Sequence, residues 1–443
     1  MPLCVDLDGT LTPSDLGWES LLAVLQRQPL ALLRLPLLRG RAAIKRFLAE
    51  RARLELDALP LNQTLLTRLE EEAARRPLVL VTGSDQSLAD AMAARIGLFG
   101  EVFGSDGVTN LVGAAKAEKL ARQYARFDYV GNSRADLPVW ARAREAWVVN
   151  GSRGLARDAA RRCPVAAELP PPGTGPGLWL RALRAHQWAK NGLVFLPLLA
   201  AQIADASAWL AALLAAVALS LVASGGYLLN DLLDLQADRR HRSKCHRPLA
   251  AGQIELLHGM AGAVVLPLAG LGLALAASPV LALVLLIYFG GTVSYSVWLK
   301  RHAPLDVFVL AGLYGIRVVA GGVAVGIVVS NWLLSFTFFV FFSLALLKRH
   351  AELVQQSSEE QLPNRGWRRG DMPFVLAAGL SSAAAGTVLL MLYLHSPTSA
   401  LLYGEPAWLI LVGITVLGWL THLWFTSLRG AMHDDPLVFA LRN

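Results

Sequence analysis

From about residue 186 to residue 427 the chain consists mostly of apolar stretches that are separated by short polar connections. A hydrocarbon core about 30 Å thick is crossed by roughly 20 helical residues, and most of these stretches reach that length. Backbone polar groups in lipid must pair internally, and none of the stretches has the alternation of a barrel strand. We therefore predict a bundle of eight spanning helices, near residues 190–204, 208–233, 256–276, 279–298, 304–326, 329–347, 373–394 and 406–427.

Lys and Arg are unevenly distributed among the connections. They follow the second, fourth and sixth predicted spans, in DRRHRSKCHRP, in LKRHAP and from LKRHAEL to GWRRGD, and are absent after the other four. Because basic loops of membrane proteins stay in the cytoplasm, we expect a multi-pass protein of the inner (plasma) membrane with a cytoplasmic N-terminal domain. The N-terminus reads as a short buried strand and not as a signal peptide. The net charge of +8 is accounted for by these loops, so we expect no nucleic-acid partner.

Charged residues crowd the first third of the 443-residue chain, although 54% of all residues are hydrophobic. This contrast predicts two domains of different solvent class, a soluble one over residues 1–165 and a membrane one over 178–443. The segment ELPPPGTGPG has too much Pro and Gly for a regular element and predicts a linker within 166–177. The three cysteines lack paired or zinc-ligand spacing, which is typical of a reducing compartment.

Within the first domain, short apolar runs end in polar residues at LCVDLDGT, LVLVTGS, FDYVGNS and AWVVN, and helix-like stretches lie between them. Strands that alternate with helices predict an α/β fold with a mostly parallel, doubly wound sheet. Ligands of such sheets bind beyond the carboxyl ends of the strands, where these polar residues are expected.

Two carboxylates, Asp6 and Asp8, follow the first predicted strand, and Thr82 ends the second. Such a pair can bind Mg²⁺ and place Asp6 against a phosphorus atom, while Thr82 offers a hydroxyl to a phosphoryl oxygen. Taken alone, a DxD after a strand is often only a turn. The later residues that we expect at the same site are Lys116 or Lys119, for charge neutralisation, and Asn132 with Asp136, for the magnesium shell.

These pieces in this order resemble the haloacid dehalogenase (HAD) phosphatase superfamily over about residues 1–165, with the helical stretch 14–75 resembling its cap. The resemblance implies that Asp6 is the nucleophile and Asp8 the general acid/base. The family usually has an acidic residue at the position of Asn132. The resemblance therefore leaves two alternatives. Either Asp6, Asp8 and Asp136 are the main ligands of magnesium, or the domain has lost its hydrolase activity.

The second predicted span ends in NDLLDLQAD, where Asp231, Asp234 and Asp238 are spaced i, i+3 and i+7. A single helix of 3.6 residues per turn would place all three on one face, where they would repel unless a cation lay between them. Hard oxygen ligands select Mg²⁺ or Ca²⁺. The alternative is an acidic helix end that is solvated, or paired with Arg239 and Arg240.

Basic side chains near these carboxylates favour a phosphate ligand. Lys244 and Arg247 follow the acidic segment, and Arg317 is a charge within the fifth predicted span and so a functional candidate. Tyr295, Lys300 and Asp306 lie at the facing ends of the fourth and fifth spans. Lys300 can equally be an ordinary charge that orients the chain in the membrane.

Together these segments look like the UbiA superfamily of membrane prenyltransferases over about residues 178–430. NDLLDLQAD matches the first aspartate-rich motif of that family, which implies headgroup and magnesium roles for Asn230, Asp231, Asp234 and Asp238. Tyr295, Lys300 and Asp306 match its second region, although Leu310 stands where many members have another aspartate.

RAHQWAKNGLVFLPLL and HRSKCHRPLAAG are similar to the branch of that family that includes decaprenyl-phosphate phosphoribosyltransferase. In that branch Lys190, Asn191, Lys244 and Arg247 are expected to contact phosphates. The chain stops at Asn443, where the resemblance implies one more membrane helix.

The resemblance suggests first a magnesium-dependent transfer of a phosphoribosyl group from phosphoribosyl pyrophosphate to a polyprenyl phosphate. The HAD-like domain would then remove the terminal sugar phosphate of the product. A second hypothesis is transfer of a prenyl group from a prenyl diphosphate to an aromatic or other acceptor, with Trp298 or Phe308 stabilising the allylic cation. The third, from another class, is a transporter or lipid-binding protein, which would need repeats that the sequence lacks. These patterns say nothing about oligomeric state.

Overall fold

The computed structural model describes residues 1–171, 173, 175–356, 365–396, 399, 403 and 408–432. The chain divides into two compact units. The first comprises Met1–Ala182 and Asp231–Gly262, and the second comprises Leu183–Asn230 and Ala263–Asn443. The segment NDLLDLQAD, except for its first residue Asn230, therefore belongs to the same unit as the N-terminal α/β fold.

The first unit contains a sheet of six strands, all paired in parallel. They lie in the order β3-β2-β1-β4-β5-β6. Successive strands are added toward one edge of the sheet from β1 to β3 and toward the other edge from β4 to β6, so the strand order reverses between β1 and β4. This point is where ligands bind in doubly wound sheets. The predicted α/β class is confirmed. The strands are β1 (Leu3–Val5), β2 (Leu78–Asp85), β3 (Glu101–Ser105), β4 (Asp128–Gly131), β5 (Ala146–Val149) and β6 (Val165–Leu169).

The two faces of the sheet are both covered, as the runs of buried residues in the central strands require. Leu3 and Val5 pack into one core cluster, and Cys4, which points the other way, packs into a second. The edge strands β3 and β6 were not among the predicted strands, because their residues are partly exposed and give no continuous apolar run. Since β6 ends at Leu169, the sheet extends into the segment that we assigned to the linker.

Helices of the first unit connect these strands, and several begin at side-chain caps. Asp15 accepts hydrogen bonds from the backbone of Gly17 and Trp18, and Asn62 and Asp85 cap later helices in the same manner. The helices are α1 (Leu16–Arg27), α2 (Arg41–Ala52), α3 (Gln63–Ala73), α4 (Gln86–Ile96), α5 (Ala114–Gln123), α6 (Leu137–Trp140), α7 (Arg153–Ala160) and α8 (Pro176–Ala182). Short 3₁₀ helices occupy Pro29–Leu37, Leu56–Ala58 and Arg134–Asp136.

The remainder of the described chain is helical. Its α-helices are α9 (Leu196–Ala200), α10 (Ala206–Leu233), α11 (Leu235–Arg240), α12 (Leu256–Ala277), α13 (Pro279–Val297), α14 (Leu305–Val325), α15 (Asn331–Val354), α16 (Met372–Leu394) and α17 (Leu409–Leu428). Further 3₁₀ helices lie at Ala185–Phe195, Lys244–His246, Leu299–Arg301 and Arg369–Asp371. Within the described residues, seven helices are long and apolar enough to cross a membrane, namely α10 and α12 to α17. They agree with seven of the eight predicted spans. The expectation about a further helix beyond Asn443 lies outside the described residues.

The first predicted span, 190–204, is not a helix of spanning length. It consists of the end of the 3₁₀ helix Ala185–Phe195 and of the five-residue α9. Polar side chains hold this stretch against α10, because Trp188 and Asn191 donate hydrogen bonds to Ser224 and Ser220. Pro197, which lacks an N–H group, lies at the start of α9.

Candidate functional site

Asp6 leaves the carboxyl end of β1 as a buried side chain beside Lys116 of α5. The Lys116 ammonium donates to Asp6 Oδ1 at 2.7 Å and to the Tyr129 hydroxyl at 2.9 Å, and lies 3.9 Å from Asp136 Oδ1. Of the two candidate lysines, Lys116 is thus the one at Asp6, while Lys119 is exposed and lies 5.1 Å from the centre of a phenylalanine ring. Burial raises the pKa of Asp6 to about 7; the neighbouring carboxylates also raise it, and Lys116 lowers it.

Asp8 is held by three donors. Its Oδ2 accepts from the hydroxyls of Thr82 at 2.8 Å and Ser84 at 2.7 Å, and its Oδ1 accepts from the Leu16 backbone N–H at 2.9 Å. The Thr82 hydroxyl, which we predicted to be available to a phosphoryl oxygen, therefore donates to Asp8. Sequence reasoning missed Ser84, whose position in the TGSD run has no distinguishing signal.

Asp136 completes the acidic group from the carboxyl side of β4. Its carboxylate accepts from the Tyr129 hydroxyl at 2.8 Å, from the backbone N–H groups of Asn132 and Ser133, and from the Ser133 hydroxyl. Gly9 lies beside Asn132 with φ of +73°, a conformation that favours glycine, and a Cβ there would lie 2.0 Å from the Asn132 amide nitrogen. The predicted residues after β1, β2 and β4 therefore meet at one edge of the sheet.

The donor chemistry of this group fits Mg²⁺. Asp6, Asp8 and Asp136 line one cavity and supply only oxygen ligands, and their charge exceeds that of Lys116. Among the described residues, no three His, Cys, Asp or Glu side chains are grouped closely enough to bind a metal by themselves. Asn132 and backbone carbonyl oxygens would have to contribute.

The cavity has a volume of about 890 Å³, and every residue that lines it belongs to the first unit. Trp18 of α1 and Lys45 of α2 form part of its wall. The Lys45 ammonium donates to the Gly83 carbonyl oxygen at 2.5 Å and to Asn110 Oδ1 at 3.0 Å, and burial lowers its pKa. The cap-like stretch thus contributes a second lysine to the site, which we did not predict.

The aspartate-rich segment is not one continuous helix. α10 ends at Leu233, Asp234 has φ of −96° and ψ of 9°, and α11 begins at Leu235. The prediction of one continuous helix was wrong. Asp231 and Asp238 nevertheless lie close together, because one basic side chain contacts both of them.

That side chain is Arg247. Its Nη1 lies 3.0 Å from Asp231 Oδ1 and 2.5 Å from Asp238 Oδ2, and both carboxylates are buried. Burial raises the pKa of Asp238, and the charge of Arg247 opposes that shift. Asp234, Asn230 and Lys244 are half-buried.

The alternative of a solvated acidic helix end does not fit the burial of Asp231 and Asp238. The basic residues that it invoked have other partners. Arg239 pairs with Glu19 of α1 at 2.6 Å, and Arg240 pairs with Glu55 at 3.0 Å.

In the second unit, three predicted phosphate-binding residues come together around Tyr314. Arg317 is buried, and its Nε donates to Asn191 Oδ1 at 3.1 Å. Tyr314 and Arg317 both belong to α14. The Lys190 ammonium lies 5.7 Å from the centre of the Tyr314 ring, and the Arg317 guanidinium lies 5.0 Å from the same ring centre. Arg317 also donates to the Tyr288 hydroxyl at 2.9 Å, a partner that we did not predict.

The second predicted region forms a separate buried ion pair within the same unit. Asp306 Oδ2 lies 3.3 Å from Arg349 Nε, and Asp306 Oδ1 accepts from the Trp367 indole at 2.9 Å. The Tyr295 hydroxyl accepts from Arg365 at 2.7 Å. Sequence reasoning missed three partners, Arg349, Arg365 and Trp367, because we interpreted the basic residues there only as orienting charges.

The other predicted residues of this region lie nearby along the chain. Lys300 is buried, whereas Trp298 and Phe308 are 56% and 47% exposed. The Phe308 ring packs 4.6 Å from that of Phe342, and the Trp298 ring lies 4.6 Å from that of His302. The exposure of both rings gives no support to the hypothesis that they stabilise an allylic cation.

The fold and these sites define a membrane-embedded transferase with an α/β domain of the hydrolase type at its N-terminus. Residues 192–441 match the UbiA prenyltransferase family, and residues 3–141 match the haloacid dehalogenase-like hydrolase family. The chain belongs to the UbiA prenyltransferase family and is a multi-pass membrane protein.

Several known proteins are similar to this chain. The uncharacterized protein y4nM of Sinorhizobium fredii is 39% identical over 452 residues, which cover 100% of this chain and 88% of that protein. The nodulation protein NoeC of Azorhizobium caulinodans is 34% identical over 60% of this chain and 87% of its own length. Decaprenyl-phosphate phosphoribosyltransferase of Mycobacterium tuberculosis is 37% identical over 39% of this chain and 59% of its own length. The fold is also similar to a UbiA homolog from Archaeoglobus fulgidus solved with GPP and Mg²⁺, at 15% identity and a TM-score of 0.44, over 57% of this chain and 98% of that one.

Proposed function

We propose that the protein transfers a 5-phosphoribosyl group from phosphoribosyl pyrophosphate to a polyprenyl phosphate. The observation that supports this most directly is Arg247 between the buried Asp231 and Asp238, with Lys244 close by in the chain. Arginine binds phosphate oxygens in a bidentate manner, so this group suits a charged donor at the end of a spanning helix. The similarity to a phosphoribosyltransferase that acts on a lipid phosphate favours the same substrate class.

In this reaction an oxygen of the lipid phosphate attacks the anomeric carbon of the ribose. The bond from that carbon to the pyrophosphate oxygen breaks, and pyrophosphate leaves with the bonding electrons. Lys244 and Arg247 would bind phosphate groups in the first unit, and Lys190, Asn191 and Arg317 would do so in the second. Positive charge at the leaving group stabilises the transition state more than the ground state.

Asp231, Asp234 and Asp238 offer hard oxygen ligands, the donor chemistry that Mg²⁺ requires. Since no three such side chains in the described part of the chain are grouped closely enough to bind a metal by themselves, oxygen atoms of the pyrophosphate would have to complete the coordination. When bound, the ion would neutralise charge on the leaving pyrophosphate. Its binding would compete with Arg247 for the two buried carboxylates. Binding of Mn²⁺, followed by electron paramagnetic resonance on the wild-type protein and on the Asp234→Ala variant, tests this assignment without a turnover assay.

For the N-terminal domain we propose hydrolysis of a phosphomonoester, with Asp6 as nucleophile and Asp8 as general acid/base. Lys116 would offset the charge of the phosphoryl group, and Asp6, Asp8 and Asp136 would hold Mg²⁺ together with Asn132 and backbone carbonyl oxygens. The hydrogen bonds from Thr82 and Ser84 orient Asp8 for proton transfer. The product of the proposed transfer reaction keeps the 5-phosphate of its ribose. That phosphate is a phosphomonoester, the chemical class that this site would accept.

We further propose that the protein lies in the plasma membrane with its N-terminal domain in the cytoplasm. This topology needs the stretch Ala185–Ala200 to cross with the seven long helices, and 3₁₀ turns rise about 2.0 Å per residue against 1.5 Å in an α-helix. In sealed spheroplasts, a membrane-impermeant maleimide should label an Ala204→Cys variant at residue 204 but reach Cys245 only after permeabilisation. Labelling of Cys245 in sealed spheroplasts would contradict this topology.

The transfer reaction is tested with purified protein, labelled phosphoribosyl pyrophosphate and polyprenyl phosphate in the presence of Mg²⁺. We expect label in the extracted lipid, and a loss of at least about 100-fold in rate for Asp231→Ala and Asp238→Ala, since each removes an interaction of the charged site. Asp205→Ala is the matched control, because Asp205 caps the opposite end of the same helix. A wild-type protein that labels no lipid would refute the proposed transfer.

The same assay has an arm for prenyl transfer. Digeranylgeranylglyceryl phosphate synthase of Saccharolobus solfataricus is 26% identical over 34% of this chain, so a prenyl diphosphate is the second donor to test. Prenyl transfer predicts release of pyrophosphate from the prenyl diphosphate and no labelled lipid from phosphoribosyl pyrophosphate.

A further inference from the structure

The cavity at Asp6 has walls of two different kinds. Its polar part is formed by Asp6, Asp8 and Lys116, which we assign to phosphate chemistry. Its apolar part includes Trp18, Trp179, Ile254, Leu256 and Leu257, and the polar side chains of Gln253, Glu255 and His258 lie along the same stretch of chain. A site for a small, soluble phosphate ester has no need of the second wall.

The apolar wall is continuous in sequence with a membrane-spanning helix. Leu256 and Leu257 are the first two residues of α12, which is long and apolar enough to cross a bilayer. Leu257 is 47% exposed, and Trp179 on α8 is 36% exposed. Because a spanning helix starts at the lipid headgroups and Trp is enriched at that level, we expect Trp179 and the start of α12 to face the headgroups.

We propose that the hydrolase cavity takes a phosphomonoester borne by a membrane lipid, which enters from the bilayer side. The phosphate would lie against Asp6 and Lys116, and the apolar part of the lipid would leave past Trp179 and Leu257. This inference rests on the proposed hydrolase activity, and it adds the part of the cavity that takes the lipid and the direction of entry.

The volume of the cavity agrees with this substrate. A cavity of about 890 Å³ is at the upper end of the roughly 300–1,000 Å³ range of small-molecule sites. A phosphorylated sugar occupies only part of that space, which leaves room for the linking phosphate and the first carbons of a lipid chain. Lys45, on the cap-like helix α2, also lines the cavity.

The reaction is a hydrolysis in two steps. The Asp6 carboxylate attacks phosphorus, the ester P–O bond breaks, and the departing sugar oxygen takes a proton from Asp8. Water then attacks the aspartyl phosphate and gives up a proton to Asp8, and inorganic phosphate leaves. The overall change consumes one water and yields a lipid-linked sugar alcohol and phosphate.

The test uses the full chain in nanodiscs and a synthetic substrate, farnesyl-phosphoryl-ribose 5-phosphate, so that it does not depend on the transfer reaction. Phosphate release is compared with that from ribose 5-phosphate, which has the same ester and no lipid. We expect the kcat/KM for the lipid substrate to exceed that for ribose 5-phosphate at least tenfold, and Asp6→Asn to abolish both activities.

The double variant Trp179→Ala/Leu257→Ala should reduce the ratio of the two kcat/KM values at least fivefold. The matched double variant Trp209→Ala/Leu268→Ala, which removes similarly exposed side chains that do not line the cavity, should leave the ratio unchanged. A ratio near one in the wild-type protein, or an unchanged ratio in the Trp179/Leu257 variant, would overturn the inference.

A second experiment tests the inference if the Trp179→Ala/Leu257→Ala variant does not fold. A farnesyl phosphate derivative with a photoreactive group on its chain is crosslinked to the inactive Asp6→Asn protein, and the labelled peptides are identified by mass spectrometry. Label on residues 176–182 or 252–258 supports the inference, and label confined to other segments overturns it. Failure of phosphoribosyl transfer, with hydrolysis of the lipid intact, would refute the transferase proposal and leave this inference standing.

Discussion

Both acidic groups of the first unit contain a basic side chain between two carboxylates. Lys116 lies between Asp6 and Asp136, and Arg247 lies between Asp231 and Asp238. Removing one partner of a buried charge cluster costs about 3–5 kcal/mol, because the remaining charge is left uncompensated. At the residue scale, a protein cation therefore offsets the negative charge of each group. A metal ion would have to compete with that cation for the carboxylates, and a phosphate group would bind beside it.

Replacing Arg247 by Gln should lower the thermal stability of the metal-free protein, because Asp231 and Asp238 lose the cation that they share. We expect a loss of about 3 kcal/mol, and a larger rise in Tm on addition of Mg²⁺ than in the wild-type protein. Arg161→Gln, in an exposed ion pair with Asp158, is the control and should cost under about 1 kcal/mol. Equal behaviour of the two variants would show that Arg247 does not balance this group.

The three cysteines should differ widely in reactivity. Burial raises the pKa of Cys4 to about 12 and that of Cys163 to about 11, so both thiols stay protonated at pH 8. Cys245 is half-exposed. We expect iodoacetamide to alkylate Cys245 at least about 100-fold faster than Cys4 at pH 8, since only the thiolate reacts. The rate at Cys4 should rise about tenfold per pH unit above pH 8 for as long as the fold persists.

Mass spectrometry of the alkylated peptides gives these rates, and protein unfolded in guanidinium, where all three thiols react, is the control. Fast alkylation of Cys4 in the folded protein would contradict its position inside the sheet core. Because Cys245 lies between Lys244 and Arg247 along the chain, its protection by phosphoribosyl pyrophosphate would also report donor binding without turnover.

At the scale of elements, glycines in the spanning helices differ in what they contact. A Cβ on Gly379 of α16 would lie 2.0 Å from the Trp424 ring of α17, whereas a Cβ on Gly272 of α12 meets no atom within 4 Å. Trp424 also donates to Ser343, which donates to the Gly379 carbonyl oxygen. The close packing of α15, α16 and α17 therefore depends on the absence of a side chain at Gly379 as well as on apolar surface.

Alanine at these two positions should have different effects on stability. Gly379→Ala should destabilise the protein by about 1–3 kcal/mol, because the Trp424 ring must move. Gly272→Ala should be neutral or stabilise by up to about 1 kcal/mol, since Ala restricts the backbone more than Gly in a helix. Thermal unfolding in one detergent measures both, and a stabilising Gly379→Ala variant would contradict the packing.

At the scale of the whole molecule, the first unit joins segments that are far apart in sequence. Arg239 of α11 pairs with Glu19 of α1 at 2.6 Å, and both side chains are buried. The Gln26 amide donates to the Leu232 carbonyl oxygen at the end of α10. The α/β fold and the segment after α10 are thus one structural unit, and mutations in either are expected to affect both.

The variant Arg239→Met should lower the free energy of unfolding by about 3–5 kcal/mol, because Glu19 remains buried without its partner. The double variant Arg239→Met/Glu19→Leu should recover part of that loss. Arg240→Met is the control, since Arg240 is 65% exposed in its ion pair with Glu55. Hydrolysis of ribose 5-phosphate should fall with the single variant, and a loss no larger than that of Arg240→Met would contradict the coupling.

Features that depend on neighbouring residues in the chain were predicted from the residue order alone. Buried runs of a few residues marked the four central strands, and apolar length marked the seven long helices. The residues after β1, β2 and β4 were predicted to meet because parallel strands end at one edge of a sheet. The site at Asp6 was predictable for that reason, down to the two candidate lysines.

What only the tertiary structure decided are features with distant partners. The choice of Lys116, the pairing of Arg349 with Asp306, and the position of Arg247 between two aspartates depend on side chains brought together by the fold. The break at Asp234 interrupts a helical pattern that is regular in sequence. Local sequence patterns indicate whether a residue is buried or exposed and which element it belongs to. Charge compensation and close packing depend instead on which residues from distant parts of the chain the fold places next to it.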